Sequence, residues 1–519
     1  MLKVERLLVL GAICLACWFL FPTETIPVSN GYGWDGSIYG RTTERLWQVL
    51  KGKELNQYYG CRVLPCVVAR LLIDISGQPL TREVIIFTFR ICNAILAVVG
   101  TFTWLGIAKQ LRLTPQATTF GWIGLFINLF IGKMLSYYPV LTDGYALVFG
   151  LLLVRFSLLS NYRGIFLTSL AAGFTWPHAV TFGAILIAII PCSSASSHHR
   201  NDFKFYKQNL LTLAILCGAV IAINFFGKFF PEVSLLRGLK TNTVRQFIAH
   251  IPDIAICSIA LWKLVPLKYM QECFSRLLTR GQITYLTYSL ALIIIHRMLL
   301  AQFTNPLLPP PSYLPPWYKV ILIGSPSNGQ IFNALVGNLF LTGPLSICAI
   351  IIWHHVCNAA RSLNAGVVFG IICCLTSWLQ AETRFVTLWY PFAVTATCAG
   401  LATIRLATPS ALTFFSCAAY FCGFWRKLNV ESNDDTIARI PANQLIEYWY
   451  SIMDKYFRLY GGGSGFRLTD FLSYGIAVCI AFIALRSAIR HDSRSATLSQ
   501  EPKEDEDPGL CRHPTSNDS

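Results

Sequence analysis

Apolar runs of some 20 residues recur along the whole chain. Each is long enough to cross a hydrocarbon core about 30 Å thick, and few soluble architectures could bury so many. Charge is scarce to match: 13% of the 519 residues are Asp, Glu, Lys or Arg, where a soluble domain carries roughly a quarter. The expectation is an all-α polytopic membrane protein with about 13–14 spans.

In a soluble chain the net charge of +16 would point to nucleic acid. Here Lys and Arg gather in short loops between apolar runs, so they report topology and no nucleic-acid partner is expected. The first segment, Leu7 to Phe21, follows Lys3 and Arg6 and ends at Pro22 without a small-residue cleavage site. It predicts an uncleaved anchor with its N-terminus inside. Further spans are expected near 84–107, 117–135, 139–159, 165–176, 178–191, 209–226, 253–267, 284–302, 330–353, 364–380, 386–405, 409–424 and 471–488. The pair around Pro177 is too short for two full crossings and suits a broken or re-entrant hairpin.

Counted as two, that pair puts both termini inside. Lys109 and Arg112, Arg163, His198 to Lys207, Lys268 to Arg280, Arg361, Arg405 and Arg486 to Arg494 then fall on the inner side. The longer connections 22–83, 227–252, 303–329 and 425–470 fall on the outer side. Residues 1–490 form one multi-span unit in this reading. Residues 491–519 are polar, acidic in the middle, and predict a disordered inner tail. The 18 cysteines sit mostly in apolar segments, as small hydrophobes do. Cys61 and Cys66 lie outside the spans and could pair, though nothing in the sequence demands it. No internal repeat is evident, which counts against transporter folds built from two similar halves. Gly461 to Gly465 lacks the Lys and Ser/Thr of a phosphate loop.

Ionisable residues at membrane level are costly and usually have a partner or a task. Five cations are expected on the outer half, against the topological bias: Arg62, Arg90, Lys133, Arg297 and Arg384. Three acids fall at the same level: Asp35, Asp143 and Glu382. Arg offers a fork of donors to phosphate oxygens and Lys a point charge, so the set suits a phosphate-bearing lipid. The alternative is that each cation reaches to the interface or pairs with a nearby acid.

The first outer loop contains two amphipathic, helical pieces whose Trp34, Tyr39, Trp47, Tyr58 and Tyr59 suit the membrane interface. Asp35, followed by Gly36, is a candidate general base; otherwise it caps a helix beginning near Ser37. An aromatic-Asp-Gly turn with a Tyr shortly after (GYGWDGSIYG), then Tyr58 to Pro65 (YYGCRVLP), resembles the GT-C superfamily of membrane glycosyltransferases. The likeness is greatest to uncharacterised bacterial members with a Y-D-G…Y…R-x-x-x-P pattern. Tyr138 to Asp143 (YPVLTD) and Glu382 to Phe385 with Tyr390-Pro391-Phe392 resemble two further segments of that superfamily. An Asp-x-Asp pair is not found, and 425–470 matches no known outer domain.

The resemblance implies inverting transfer of a sugar from a polyprenyl-phosphate or -diphosphate carrier to a hydroxyl of a glycan, lipid or protein acceptor. It implies an outer-face site in a bacterial inner membrane. Asp35 and Asp143 would be the catalytic acids. Arg62, Arg90, Lys133, Arg297, Glu382, Arg384, Tyr39 and Tyr58 would bind substrate. A divalent cation is a further option, carried by two single acids that do not define a metal site. The rival classes are a transporter or flippase for a lipid-linked or anionic substrate, and a non-catalytic assembly subunit.

Overall fold

The computed structural model describes residues 2–22, 24–190, 258–266, 282–308, 342–378, 386–404, 408–422 and 476–489, with a few single residues between them. Among these the chain is helical, and the single β-bridge pairs Leu55 with Thr304.

Helix α1 (Leu2–Leu20) buries Leu8, Ala12, Leu15 and Phe19, one helical stripe, and exposes Leu7, Leu10 and Ile13. A buried stripe with apolar residues on the opposite face is the pattern of a helix whose outer side meets an apolar medium. Helix α6 (Arg82–Gln110) follows the 22–83 connection and packs along α1. Its start is written locally: the Thr81 hydroxyl accepts from Val84 N–H. Phe87, Ile95, Val99 and Phe102 of α6 remain exposed, again on the outer side.

The expected span 117–135 is broken. Helix α7 (Pro115–Phe126) is launched by the Thr114 cap with Pro115 in its first turn. A π-turn at Leu129–Lys133 and α8 (Met134–Tyr137) continue at an angle of 47°. Asn128 causes the break. Its Nδ2 donates to Gly124 O at 2.7 Å, and its Oδ1 accepts from Ile131 N–H at 2.8 Å. One side chain thus ends a helix and starts the next inside an apolar run. Helix α9 (Asp143–Leu158) then packs beside α6.

Helices α10 (Tyr162–Ala172) and α11 (Ala179–Ile189) form the expected short pair around Pro177, and α11 packs on the helix Gln282–Phe303. Helix Tyr390–Ala402 lies centrally, touching α7, α9, Trp353–Leu363 and Ala365–Trp378. The expected 330–353 span is described only from 342, and there its helical run continues past 353. Pro344–Ile351 bends into the strongly amphipathic Trp353–Leu363, whose His354, His355 and Asn358 are exposed.

By length and composition, Arg82–Gln110 and Ile283–Phe303 can cross a membrane, with a third crossing if the bent pair counts as one. Shorter apolar helices include Ala179–Ile189, Tyr390–Ala402 and Ile476–Ile489. The architecture is compatible with an all-α membrane protein. The expected span 209–226, the loop 425–470 and the tail 491–519 lie outside the described residues.

Between α1 and α6 the chain builds a separate layer over the bundle. It comprises α2 (Trp34–Glu44), α3 (Leu46–Lys51), α4 (Gln57–Gly60) and α5 (Leu64–Ser76). Tyr39, Leu46, Val49, Val63, Ala69 and Ile73 form its own small core, against Ile85 and Phe89 of α6. Trp47, Leu71 and Ile75 stay exposed, as in helices lying at an interface.

Candidate functional site

Helix α2 begins at Trp34, three residues earlier than expected, and its N-cap is Gly33. Gly33 has φ 73° and ψ −169°, a conformation essentially confined to glycine. Asp35 therefore lies within the first turn and does not cap the helix, which removes the capping alternative. It is half-buried, at the end of the helix where a negative charge is favoured.

The first turn of α2 sits on Tyr138. Gly36 N–H donates to the Tyr138 hydroxyl oxygen at 2.7 Å. A Cβ on Gly33 would lie 2.4 Å from the Tyr138 ring, and one on Gly36 would lie 2.8 Å from it and 3.2 Å from Val140 Cβ. The two glycines make the saddle that this ring fills. The segment under it is fixed in turn: Asn93 Nδ2 donates to Pro139 O at 2.9 Å. Asp143, 2% exposed, opens α9 five residues beyond Tyr138. The turns that carry Asp35 and Asp143, more than a hundred residues apart in sequence, are thus packed together through Tyr138 and Val140.

Arg62 joins Tyr39 and Tyr58. It is 1% exposed. Its Nη1 donates to the Tyr39 hydroxyl oxygen at 2.8 Å, and its guanidinium lies 4.4 Å from the Tyr58 ring centre and 5.3 Å from that of Trp176. Tyr39 stands one turn after Asp35 on α2, so this contact fixes the helix that carries the acid. Trp176 belongs to the turn between α10 and α11, which is tied to the layer by a Leu64 N–H to Phe174 O bond of 2.8 Å. Arg297 reaches the same neighbourhood. It is exposed and donates to Gln57 Oε1 at 3.3 Å, beside Tyr58. Burial pushes the Cys61 thiol up to about 11 even though Arg297 and Arg62 pull it down. Cys61 and Cys66 are both buried, free thiols.

Lys133 and Arg90 have different company. Lys133 is buried and ion-paired with Glu24, Nζ to Oε1 at 2.5 Å, with the Trp18 ring 5.9 Å away. Arg90 Nη2 donates to Thr25 Oγ1 at 2.6 Å. Both cations therefore converge on the chain just after α1. The Lys133 charge is matched by an acid, as the alternative reading of the cations supposed. Glu382 and Arg384 lie outside the described residues.

Sequence reasoning passed over Glu24, Trp176 and Asn93, and took Tyr138 only as the first residue of the YPVLTD segment. The only available signals were an acid directly after an apolar span and two glycines three apart. Among the described residues no three His, Cys, Asp or Glu side chains gather as a metal site, so no step is assigned to a cation. Compared with family models, with curated proteins and with solved structures, the chain gives no significant match.

Proposed function

We propose that this chain is a multi-span membrane glycosyltransferase that takes sugar from a polyprenyl-phosphate or -diphosphate carrier at the outer face. The observation that carries the reading is the seating of the Asp35 turn on the Tyr138 to Asp143 segment. Acid-bearing turns from two distant motifs meet where the layer packs on the bundle, and the exposed Arg297 bonds the edge of that layer at Gln57. In this reading the acceptor oxygen attacks the anomeric carbon while its proton passes to the Asp35 carboxylate. The bond from that carbon to the carrier phosphate breaks, and the phosphate leaves with the electron pair. Arg297, with Arg384, meets the charge that develops there, and Asp143 orients the acceptor. Lys133 is a weaker candidate for that role, because its charge already serves Glu24.

Asp35→Asn keeps shape and most hydrogen bonding but cannot accept a proton. Transfer to an acceptor should fall by about 10²-fold or more, with carrier binding and thermal stability unchanged. A fully active Asp35→Asn protein would move the base to Asp143 or Glu382.

The second reading is a transporter or flippase, favoured by one observation, the 47° break at Asn128. Broken helices are how many carriers build a site at mid-membrane. Reconstituted protein that moves a labelled lipid-linked sugar between leaflets without transferring it would establish that reading.

A further inference from the structure

The end of the bundle away from the layer is almost bare of acids. Among the described residues every acid except Glu5 falls between Glu24 and Asp143, in the layer or the segments under it. Helix α9 leads from Asp143 to the other end, about 21 Å away at 1.5 Å per residue. There Ser157 O accepts from Asn364 Nδ2 at 3.1 Å, which places the amphipathic helix Trp353–Leu363 at that end. His354, Asn358 and Arg361, spaced four and three residues apart, share one face of it. Arg361 Nη1 donates to Lys263 O at 2.6 Å and so ties this strip to the end of the helix at 258–264, while its Nη2 donates to Asn358 Oδ1. With its oxygen so engaged, Asn358 presents Nδ2 to His354 Nε2 at 3.1 Å. That ring nitrogen therefore accepts, and a neutral His354 carries its proton on Nδ1. His355, next to it, bonds Thr403 Oγ1 at 3.1 Å.

We propose that the strip His354–Asn358–Arg361, with the exposed Lys263 beside it, binds the phosphate of an anionic phospholipid. The donors match the ligand. Arg361 brings a guanidinium already fixed in place, Lys263 a point charge and His354 a ring N–H, and phosphate oxygens accept from all three. Among the described residues no acid pairs with either cation. The apolar surroundings favour a lipid over a soluble anion. Helix Trp353–Leu363 bends out of the apolar Pro344–Ile351 at Ile352. Ile350 is exposed one turn before His354, and Leu412 and Phe415 are exposed on the helix packed against Pro344–Ile351. Acyl chains lying on these residues bring a headgroup to the level of the strip. Basic sites beside an amphipathic helix at a membrane surface hold anionic headgroups in this way. The inference does not depend on the transferase reading.

The test is a lipid titration of the full chain in an uncharged detergent, with bound lipid counted by native mass spectrometry. Phosphatidylglycerol should bind at least about tenfold more tightly than phosphatidylcholine. Arg361→Gln should weaken phosphatidylglycerol by about tenfold. Lys263→Gln combined with His354→Gln leaves the bond from Arg361 to Lys263 O in place and should weaken it by about fivefold. Lys109→Gln combined with Arg112→Gln removes two charges from the same end of the bundle and should change it by less than about twofold. An excess of inorganic phosphate should not displace the lipid. Equal affinity for the two lipids, or equal losses in the two double variants, would overturn the proposal. Displacement by inorganic phosphate would also overturn it, in favour of a site for a soluble anion. If Arg361→Gln does not fold, the comparison of the two double variants decides. None of these measurements involves sugar transfer, so an inactive protein can still pass and an active one can still fail.

Discussion

The 32–76 layer and the helices beneath it differ in how far their polar bonds reach. In the bundle, many threonine hydroxyls bond within their own helix, as Thr103 to Val99 O, Thr395 to Pro391 O and Thr397 to Ala393 O, beside a few long-range bonds such as Tyr390 to Gly124 O and Ser289 to Ala184 O. In the layer, the bonds that matter span the sequence: Gly36 to Tyr138, Arg62 to Tyr39, Arg70 to Glu44 O, Leu64 to Phe174 O and Asn305 to Leu55 O. A bond to the preceding turn forms as soon as the helix does and carries no information about neighbours. A bond across a hundred residues forms only when two elements are docked correctly. The bonds that seat α2 and the α4–α5 turn are therefore exacting, which is the condition a preorganised site requires.

Arg62 is the sharpest place to break this contrast. Arg62→Met keeps an unbranched stem but loses the bond to Tyr39 and the contacts with two aromatic rings. The expected cost is about 3 kcal/mol, confined to the layer. Exchange protection and protease resistance should fall across residues 34–76 and hold across 82–158. Equal loss in both regions would mean that layer and bundle unfold as one unit.

The Glu24–Lys133 pair is a long-range ionic contact between the chain after α1 and the bent helix pair. Lys133→Met leaves a partly buried carboxylate without its cation and should cost about 2 kcal/mol. Adding Glu24→Gln should recover much of that loss in thermal unfolding, since a neutral pair removes the uncompensated charge. Failure of the second change to help would show that Glu24 is solvated well enough to stand alone.

Thr395→Val should do least. Among the described residues its hydroxyl bonds to the preceding turn, and the Pro391 carbonyl keeps the helical amide. A loss of about 0.5 kcal/mol or less in Tm-derived stability is expected. A loss as large as that of Arg62→Met would end the contrast between the two regions.

Much of the architecture was legible because its causes are local. Thr81, Thr114-Pro115 and Asn56 cap the helices that follow them, and apolar length marks Arg82–Gln110 and Gln282–Phe303. The amphipathic first loop and its exposed Trp47 were equally readable. The start of α2 was not, because its capping acceptor is Tyr138, which no local pattern connects to Gly33. The break at Asn128 was hidden for a related reason: one amide in an otherwise apolar run leaves hydropathy almost unchanged. Arg62, Tyr39 and Tyr58 were each expected to bind substrate, but the bond from Arg62 to Tyr39 and its stacking on Tyr58 join two loop segments that the motif does not connect. The pairing of Lys133 with Glu24 depends on how the chain returns after α1, which composition does not encode.

The bend at Asn128 also makes α8 a lever. The stretch from Leu129 to Tyr137 carries Tyr138 at its far end, about 13 Å from the break at 1.5 Å per residue. A flexion of about 5° at Asn128 displaces that end by roughly 1 Å, enough to stretch a 2.7 Å contact beyond useful hydrogen-bond length. Alignment of the Asp35 turn is thereby geared to a joint set deep in the bundle, where the Tyr390 hydroxyl reaches Gly124 O and Cys422 reaches Asn128 O. Whatever loosens or stiffens that joint tunes the acid without touching it.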